Sequence, residues 1–326
     1  MRLLVTGGAG YIGSVVSRLL LAEGHEVTVL DDLSTGHADA VAEGMELVVA
    51  DVRDAGDVLG RGGYDGVLHF AAKSLVGESV TNPSLYWATN VEGTRALVEA
   101  IRRHGVPRLV FSSTAATYGE PDETPITEDA PTRPTNPYGA AKLAADLLIR
   151  DHATAYGFAA VSLRYFNVAG ASRGAGERHE PETHLVPNVL AVATGRRERV
   201  DLFGDDYPTP DGTCVRDYVH VEDLAVAHLL ALRAADRPGH VVYNVGNGDG
   251  YSVRQVVETV ERVTGRPIAS RVVARRPGDP ARLVASSRRI GRALGWRPRY
   301  GLEQIVADAW RFHSASDSGA ESPTGQ

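Results

Sequence analysis

The sequence predicts an α/β protein: a doubly wound parallel sheet with a smaller, interleaved C-terminal α/β unit. Three observations carry this. Short apolar runs alternate with helix-length segments through the first half of the chain, the pattern of parallel strands joined by crossover helices. The runs are too uniformly apolar for a sheet with one wet face, so helices cover both sides. A glycine-rich turn, VTGGAGYIGS, connects the first run to the first helical segment, and a helix entered this way presents bare backbone N–H groups to an anion.

The expected strands are Arg2–Thr6, Glu26–Leu30, Glu46–Ala50, Gly66–Phe70, Arg108–Ser112 and Ala160–Arg164, with helices over Pro83–His104 and Pro137–Tyr156 among the connections. After about Gly170 the texture changes. ASRGAGERHEPETH and GDDYPTPDGTCVRD are long loops rich in Gly, Pro and Asp, and loops of that length in a compact protein are usually binding elements. A helical run over Val221–Ala235 and a strand over Val241–Asn247 return toward the first sheet. The expected division is 1–170 for the nucleotide-binding domain, with returning segments near 221–247, then 171–313 for a substrate domain. The tail 314–326, without an aromatic residue, is expected to be disordered.

The chain has 326 residues and a net charge of −7, with 23% charged and 43% hydrophobic residues. That balance supports a sizeable core and argues against broad attraction to nucleic acid or anionic lipid. The single cysteine, Cys214, makes no intramolecular disulfide, which fits a reducing compartment. The N-terminal apolar run ends in glycines after five residues, too soon for a signal peptide, and no apolar stretch approaches a membrane span. The expectation is a cytoplasmic protein that binds neither nucleic acid nor membrane. Of 34 basic residues only Lys73 and Lys142 are lysines, which marks them as positions where arginine does not substitute. No metal-ligating set is assigned.

Within the turn, Gly7, Gly10 and Gly13 fall at the spacing of a Rossmann-type phosphate loop, where glycine allows the tight turn and the close approach of a pyrophosphate. Asp31 follows at the end of the second strand. A carboxylate there accepts from a ribose diol and repels a 2′-phosphate, so the expected cofactor is NAD. Tyr138 and Lys142 form Y-x-x-x-K, one face of a predicted helix, with about 0.07 such pairs expected by chance from this composition. A phenol beside an ammonium is the group that becomes a base near neutrality. Thr114 ends the fifth strand, at the sheet edge where ligands bind in such folds; by itself a threonine there reads as a cap or turn residue.

Together with HFAAKSLVGESV, FSSTAATYGE, NPYGAAKL, LRYFNVAGA, PETHLVP, FGDDYPTPDGTCVRDYVHVEDLA, RRPGDPARL and LGWRPRY, these residues resemble the extended short-chain dehydrogenase/reductase family, on the branch that epimerises UDP-hexoses at C4. The likeness covers nearly all but the tail. It implies an isomerase: Tyr138 as base, Lys142 lowering its pKa and holding the nicotinamide ribose, and Thr114 bonding the sugar 4-oxygen. UDP-glucose and UDP-galactose would interconvert through a transient 4-keto sugar, with NAD retained. It further implies NAD contacts from Gly7, Gly10, Tyr11, Ile12, Gly13, Asp31, Asp32, Leu33, Ser34, Thr35, Gly36, Asp51, Val52, Phe70, Ala71, Ala72, Lys73, Asn90 and Phe166. The UDP-sugar would meet Asn167, His184, Leu185, Phe203, Arg216, Arg276, Asp279 and Leu283.

Two departures from the family pattern stand out. Ser74, not lysine, occupies the position beyond Lys73 where some members carry a phosphate-binding lysine. Leu283 stands where some members have a bulky tyrosine and others a small residue, which implies a sugar pocket of intermediate size. The long helices over Pro83–His104 and Pro137–Tyr156 are expected to form a homodimer interface, or else to bury their apolar faces within one chain. Other readings are open at this point: a 4-epimerase for N-acetylated or uronic UDP-sugars, with Arg178 as the cation for a sugar carboxylate, or a non-enzymatic NAD-binding protein. A 4,6-dehydratase is disfavoured, since Ala115 and Ala116 follow Thr114 and carry no transferable proton.

Overall fold

The computed structural model describes residues 1–276 and 279–318, with side chains through Ala315. Its centre is a seven-stranded sheet of β1 (Arg2–Thr6), β2 (Glu26–Asp31), β3 (Glu46–Val49), β4 (Gly66–His69), β5 (Arg108–Thr114), β6 (Ala159–Tyr165) and β7 (Gly239–Val245). The order is β7-β6-β5-β4-β1-β2-β3, every pair parallel. Strand order therefore reverses between β1 and β4, and this switch point opens a crevice at the carboxyl edge.

Alternation along each strand sorts side chains to two cores. Leu3, Val5, Leu68 and Val110 enter one, under α1 (Tyr11–Ala22). Leu4, Val67, Leu109 and Phe111 enter the other, under α2 (Gly93–His104) and α3 (Pro137–Tyr156). A third core packs α4 (Leu185–Ala193), the helix Val253–Thr264 and α6 (Leu302–Ser318) against the short strand Val200–Phe203. Between α4 and α6 in sequence, α5 (Val221–Ala234) returns to the first core and β7 to the sheet, beside β6. Among the described residues no helix is long and apolar enough to cross a membrane.

Several boundaries differ from expectation, each for a local reason. The segment Pro83–His104 is not one helix: Pro83–Tyr86 is α-helical, Trp87–Glu92 is a π turn, and α2 follows. The wider turn seats the buried Asn90, whose amide accepts from Lys73 N at 2.8 Å and donates to Lys73 O at 3.0 Å, a device typical of functional sites. Strand β7 ends at Val245 because the next N–H groups turn away: Gly246 donates to Ser287 Oγ, and Asn247 and Gly248 to Asp217. Residues 314–318 of the expected disordered tail continue α6, for no Gly or Pro interrupts that helix before Gly319. The rest of that tail lies outside the described residues.

Candidate active site

The turn after β1 lies at the switch point. Gly7 adopts φ +72° and approaches Ala71 so closely that a Cβ would sit 2.5 Å from its nitrogen. At Gly13 a Cβ would come within 2.2 Å of the Gly7 carbonyl oxygen. The first intrahelical bond of α1 runs from Ser14 N to Gly10 O at 2.9 Å, so Tyr11, Ile12 and Gly13 have no helical acceptor. Gly10, at the cap, has no side chain to take them. The cradle fits the pyrophosphate of a dinucleotide. We predict that Gly13→Ala costs about 1–3 kcal/mol of loop packing, and that the purified variant carries roughly tenfold less NAD, read by chromatography of the released nucleotide.

Asp31 is 7% exposed. Its two oxygens accept from Ala9 N and Leu33 N, both at 2.9 Å. Burial raises its pKa, and these two N–H groups pull it back only in part. The carboxylate thus builds the loop, tying Ala9 on one side to Leu33 on the other. Asp32 accepts from Ser34 N, and Gly36 leaves no room for a Cβ, which would lie 2.8 Å from Asp31 Oδ1. Thr35 lines a cavity of about 240 Å³ with Gly10 and Tyr11. Asp51 does not stand free: it caps the turn Val52–Asp54 and pairs with Arg53 at 2.7 Å. Lys73 Nζ reaches Ser34 Oγ at 3.1 Å, which places the ammonium over the loop 32–36 that follows β2. The Phe70 ring lies tilted against His228, with centroids 4.8 Å apart, and Ala72 follows at the same strand end.

Tyr138 and Lys142 share one face of α3 with Asp146, one turn further on. Burial lifts the Tyr138 phenol above its ordinary value, and a hydrogen bond with Thr114 pulls it down. Lys142 is 4% exposed and donates to Ser112 O at 2.9 Å, with Phe111 under its Nζ at 4.8 Å. Burial pushes its pKa down to about 8, against the charge of Asp146. Thr114 is the neighbouring group that eases ionisation of Tyr138 against burial. Thr114 is also a cap, as its alternative reading had it: Oγ1 accepts from Ala116 N at 3.2 Å.

The residues assigned to the UDP-sugar converge in part. Arg216 pairs with Asp279 at 3.3 Å and donates to Pro280 O at 2.8 Å. Arg276 lies over the Phe203 ring at 3.7 Å. Leu283 pairs with Arg216 in a short parallel ladder and packs with Phe166 against Ala115 and Tyr118, which places the Arg216 strand beside the cluster that follows β5. Asn167 heads a strand beside Tyr218 and donates its N–H to Asp217 O. Leu185 opens α4 and His184 caps it. Arg178, the alternative carboxylate reader, is taken by Asp39 through two bonds of 2.8 and 2.9 Å. Cys214 is buried and free.

Tyr165, Glu177, His179 and Glu182 were not singled out from the sequence, although His184 was. Tyr165 ends β6 opposite Thr114, and its hydroxyl meets Ser112 Oγ; its place at the same strand edge was the available signal. Glu177, His179, Glu182 and His184 also come together, with His184 Nδ1 at 2.8 Å from Glu177 Oε1 and 2.9 Å from Glu182 Oε1. Burial alone would raise the Glu177 carboxyl, but the two imidazoles prevail and hold it at about 2. Burial likewise opposes charge on His184, yet the carboxylates lift it to about 10.

The chain as a whole is similar to known proteins. Curated relatives named UDP-glucose 4-epimerase include those of Corynebacterium glutamicum, 58% identical over 97% of this chain and 96% of its own length, and Streptomyces lividans, 58% identical over 97% of both. The crystal structure of UDP-glucose 4-epimerase from Bifidobacterium longum in complex with NAD+ and UDP is 37% identical, covers 98% of this chain and 100% of its own, and superposes with a TM-score of 0.93. The sequence model of the NAD dependent epimerase/dehydratase family matches residues 3–246, from the first strand to the end of the returning one. The chain belongs to that family.

Proposed function

We propose that this chain interconverts UDP-glucose and UDP-galactose. The observation that carries the reading is Tyr138, beside Thr114 at the sheet edge and one helical turn before the buried Lys142. The chemistry that bound NAD would supply is acceptance and return of a hydride at C4 of the sugar. The phenolate of Tyr138 accepts the 4-hydroxyl proton, and its phenol later returns it. Thr114, whose side chain eases ionisation of Tyr138, holds the 4-oxygen beside it. Lys142, fixed on Ser112 O, keeps a positive charge at the place where the nicotinamide ribose lies.

The N–H groups of Tyr11, Ile12 and Gly13 hold the pyrophosphate, supported by Gly7 and Gly10, and Asp31 takes the ribose diol. The second loop, Asp32 to Gly36, flanks the adenosine with Asp51 and Val52. Phe70, Ala71, Ala72, Lys73, Asn90 and Phe166 line the remainder of the cleft. Arg216 and Arg276 bind the UDP diphosphate, where a guanidinium fork matches two oxygens. Asn167, Leu185, Phe203 and Asp279 position the nucleotide. The His184 ring is occupied by two carboxylates, so this residue contributes its backbone.

Leu283 leaves a sugar pocket open enough for a 2-acetamido group. UDP-N-acetylglucosamine is expected to be turned over measurably, and Leu283→Tyr to abolish that while sparing UDP-glucose. Identical ratios for the two sugars in both proteins would contradict this reading of the pocket. The exposed Val80, Trp87 and Leu147, at 63%, 44% and 42%, lie on α3 and the segments packed against it and support a homodimer. Net charge and the single cysteine fit a cytoplasmic protein. The test of the activity is incubation with UDP-galactose without added cofactor, followed by NMR. An equilibrium mixture with UDP-glucose is expected; persistent inactivity with NAD bound would overturn the reading.

A further inference from the structure

The loop before α4 gathers four donors from eight residues, E-x-H-x-x-E-x-H. We propose that Glu177, His179, Glu182 and His184 form a structural site for a divalent transition metal, zinc by the chemistry of its donors. One ligand atom from each lies within 4.8 Å of the other three. His179 Nδ1 is 3.0 Å from Glu177 Oε1, and His184 Nδ1 is 2.8 Å from the same oxygen and 2.9 Å from Glu182 Oε1. Zinc bonds of about 2.0 Å in a tetrahedron set ligands about 3.3 Å apart, so a small spreading of the group admits the ion.

Backbone direction explains the convergence. Residues two apart on extended chain project to the same side, as Glu177 with His179 and Glu182 with His184 do. Arg178, between the first two, points away and binds Asp39. Two imidazoles and two carboxylates suit zinc, and the carboxylates balance its charge. Glu177 is 5% exposed, so its charge needs a permanent partner. Outer contacts orient the donors: His184 N donates to Glu182 Oε1 at 2.7 Å, and Asn188 Nδ2 to His184 O at 2.8 Å.

The ion would tie two parts of the structure. Beside Glu177, Gly176 lies under the Phe312 ring of α6, close enough that a Cβ would be 2.4 Å from it. At the other end His184 caps α4. With four protein ligands and no open position, the site is structural rather than catalytic.

The test uses the full chain, loaded with zinc and dialysed against metal-free buffer, with metal measured by mass spectrometry. One zinc per chain is expected, together with the intense visible absorption of a tetrahedral site after cobalt substitution. Wild type should melt several degrees lower after chelation and recover on adding zinc. His179→Ala and Glu177→Gln, checked for folding by circular dichroism, should each retain at least tenfold less zinc and show no zinc-dependent melting shift. Wild type without bound zinc or the cobalt bands would overturn the proposal, leaving a metal-free knot of His184 between carboxylates. Equal zinc retention in both folded variants would overturn it as well.

Discussion

Tyr138→Phe is expected to lower turnover of UDP-galactose by about 10²–10⁴-fold, the usual contribution of a positioned acid–base group, while NAD stays bound. The substitution removes one oxygen and leaves the ring, whose edge contact with Tyr86 holds centroids 6.2 Å apart, so a loss of folding does not explain the effect. The pH dependence has a definite sign. Burial keeps the Tyr138 pKa above its ordinary value, so near neutrality the phenol is protonated and its phenolate fraction grows about tenfold per pH unit. Lys142, at about 8, stays charged over the lower part of that range. From pH 6 to 8 kcat/KM should therefore rise, and the residual rate of Tyr138→Phe should stay flat. A variant that keeps a third of the activity, or the same rising limb, would remove Tyr138 from the role of base.

The second large effect concerns stability. Asp146 and Arg164 form an ion pair at 2.9 Å with side chains 3% and 8% exposed, and Ser113 Oγ donates to the same carboxylate at 3.1 Å. Arg164 also stacks over Tyr118 at 5.1 Å. Asp146→Ala leaves a buried guanidinium without its counter-charge, which costs about 3–5 kcal/mol. Solvent screening offers little relief at this burial. Urea unfolding should show the loss as a lower midpoint with the slope unchanged. Activity should fall as well, because the Asp146 charge is what opposes the downward push of burial on Lys142. A loss below about 1 kcal/mol would place this pair among exposed, weakly contributing ones.

The sheet was legible because its signal is local. Strand β1 and helix α3 coincide with the expected Arg2–Thr6 and Pro137–Tyr156, since uniform apolar runs and a Pro-opened, Gly-closed helix state their own limits. The π turn at Trp87–Glu92 was not, because it is fixed by the Asn90 amide gripping Lys73 across the fold, a contact that periodicity does not contain. The same holds at the site. The glycine turn and Y-x-x-x-K have fixed spacings, whereas Arg276 over Phe203 and Arg216 on Asp279 join residues more than sixty apart. The Glu–His cluster had a spacing in plain sight. Only the folded course of that loop, with Arg178 turned to Asp39, gives the spacing meaning.

The most direct measurement of the central claim uses UDP-galactose deuterated at C4, incubated in ordinary water with the protein as purified. Tyr138 exchanges the hydroxyl proton with solvent, while the hydrogen on carbon leaves and returns inside the closed site. The account predicts UDP-glucose with deuterium fully retained at C4. Product in which that deuterium has been replaced by solvent hydrogen would contradict it.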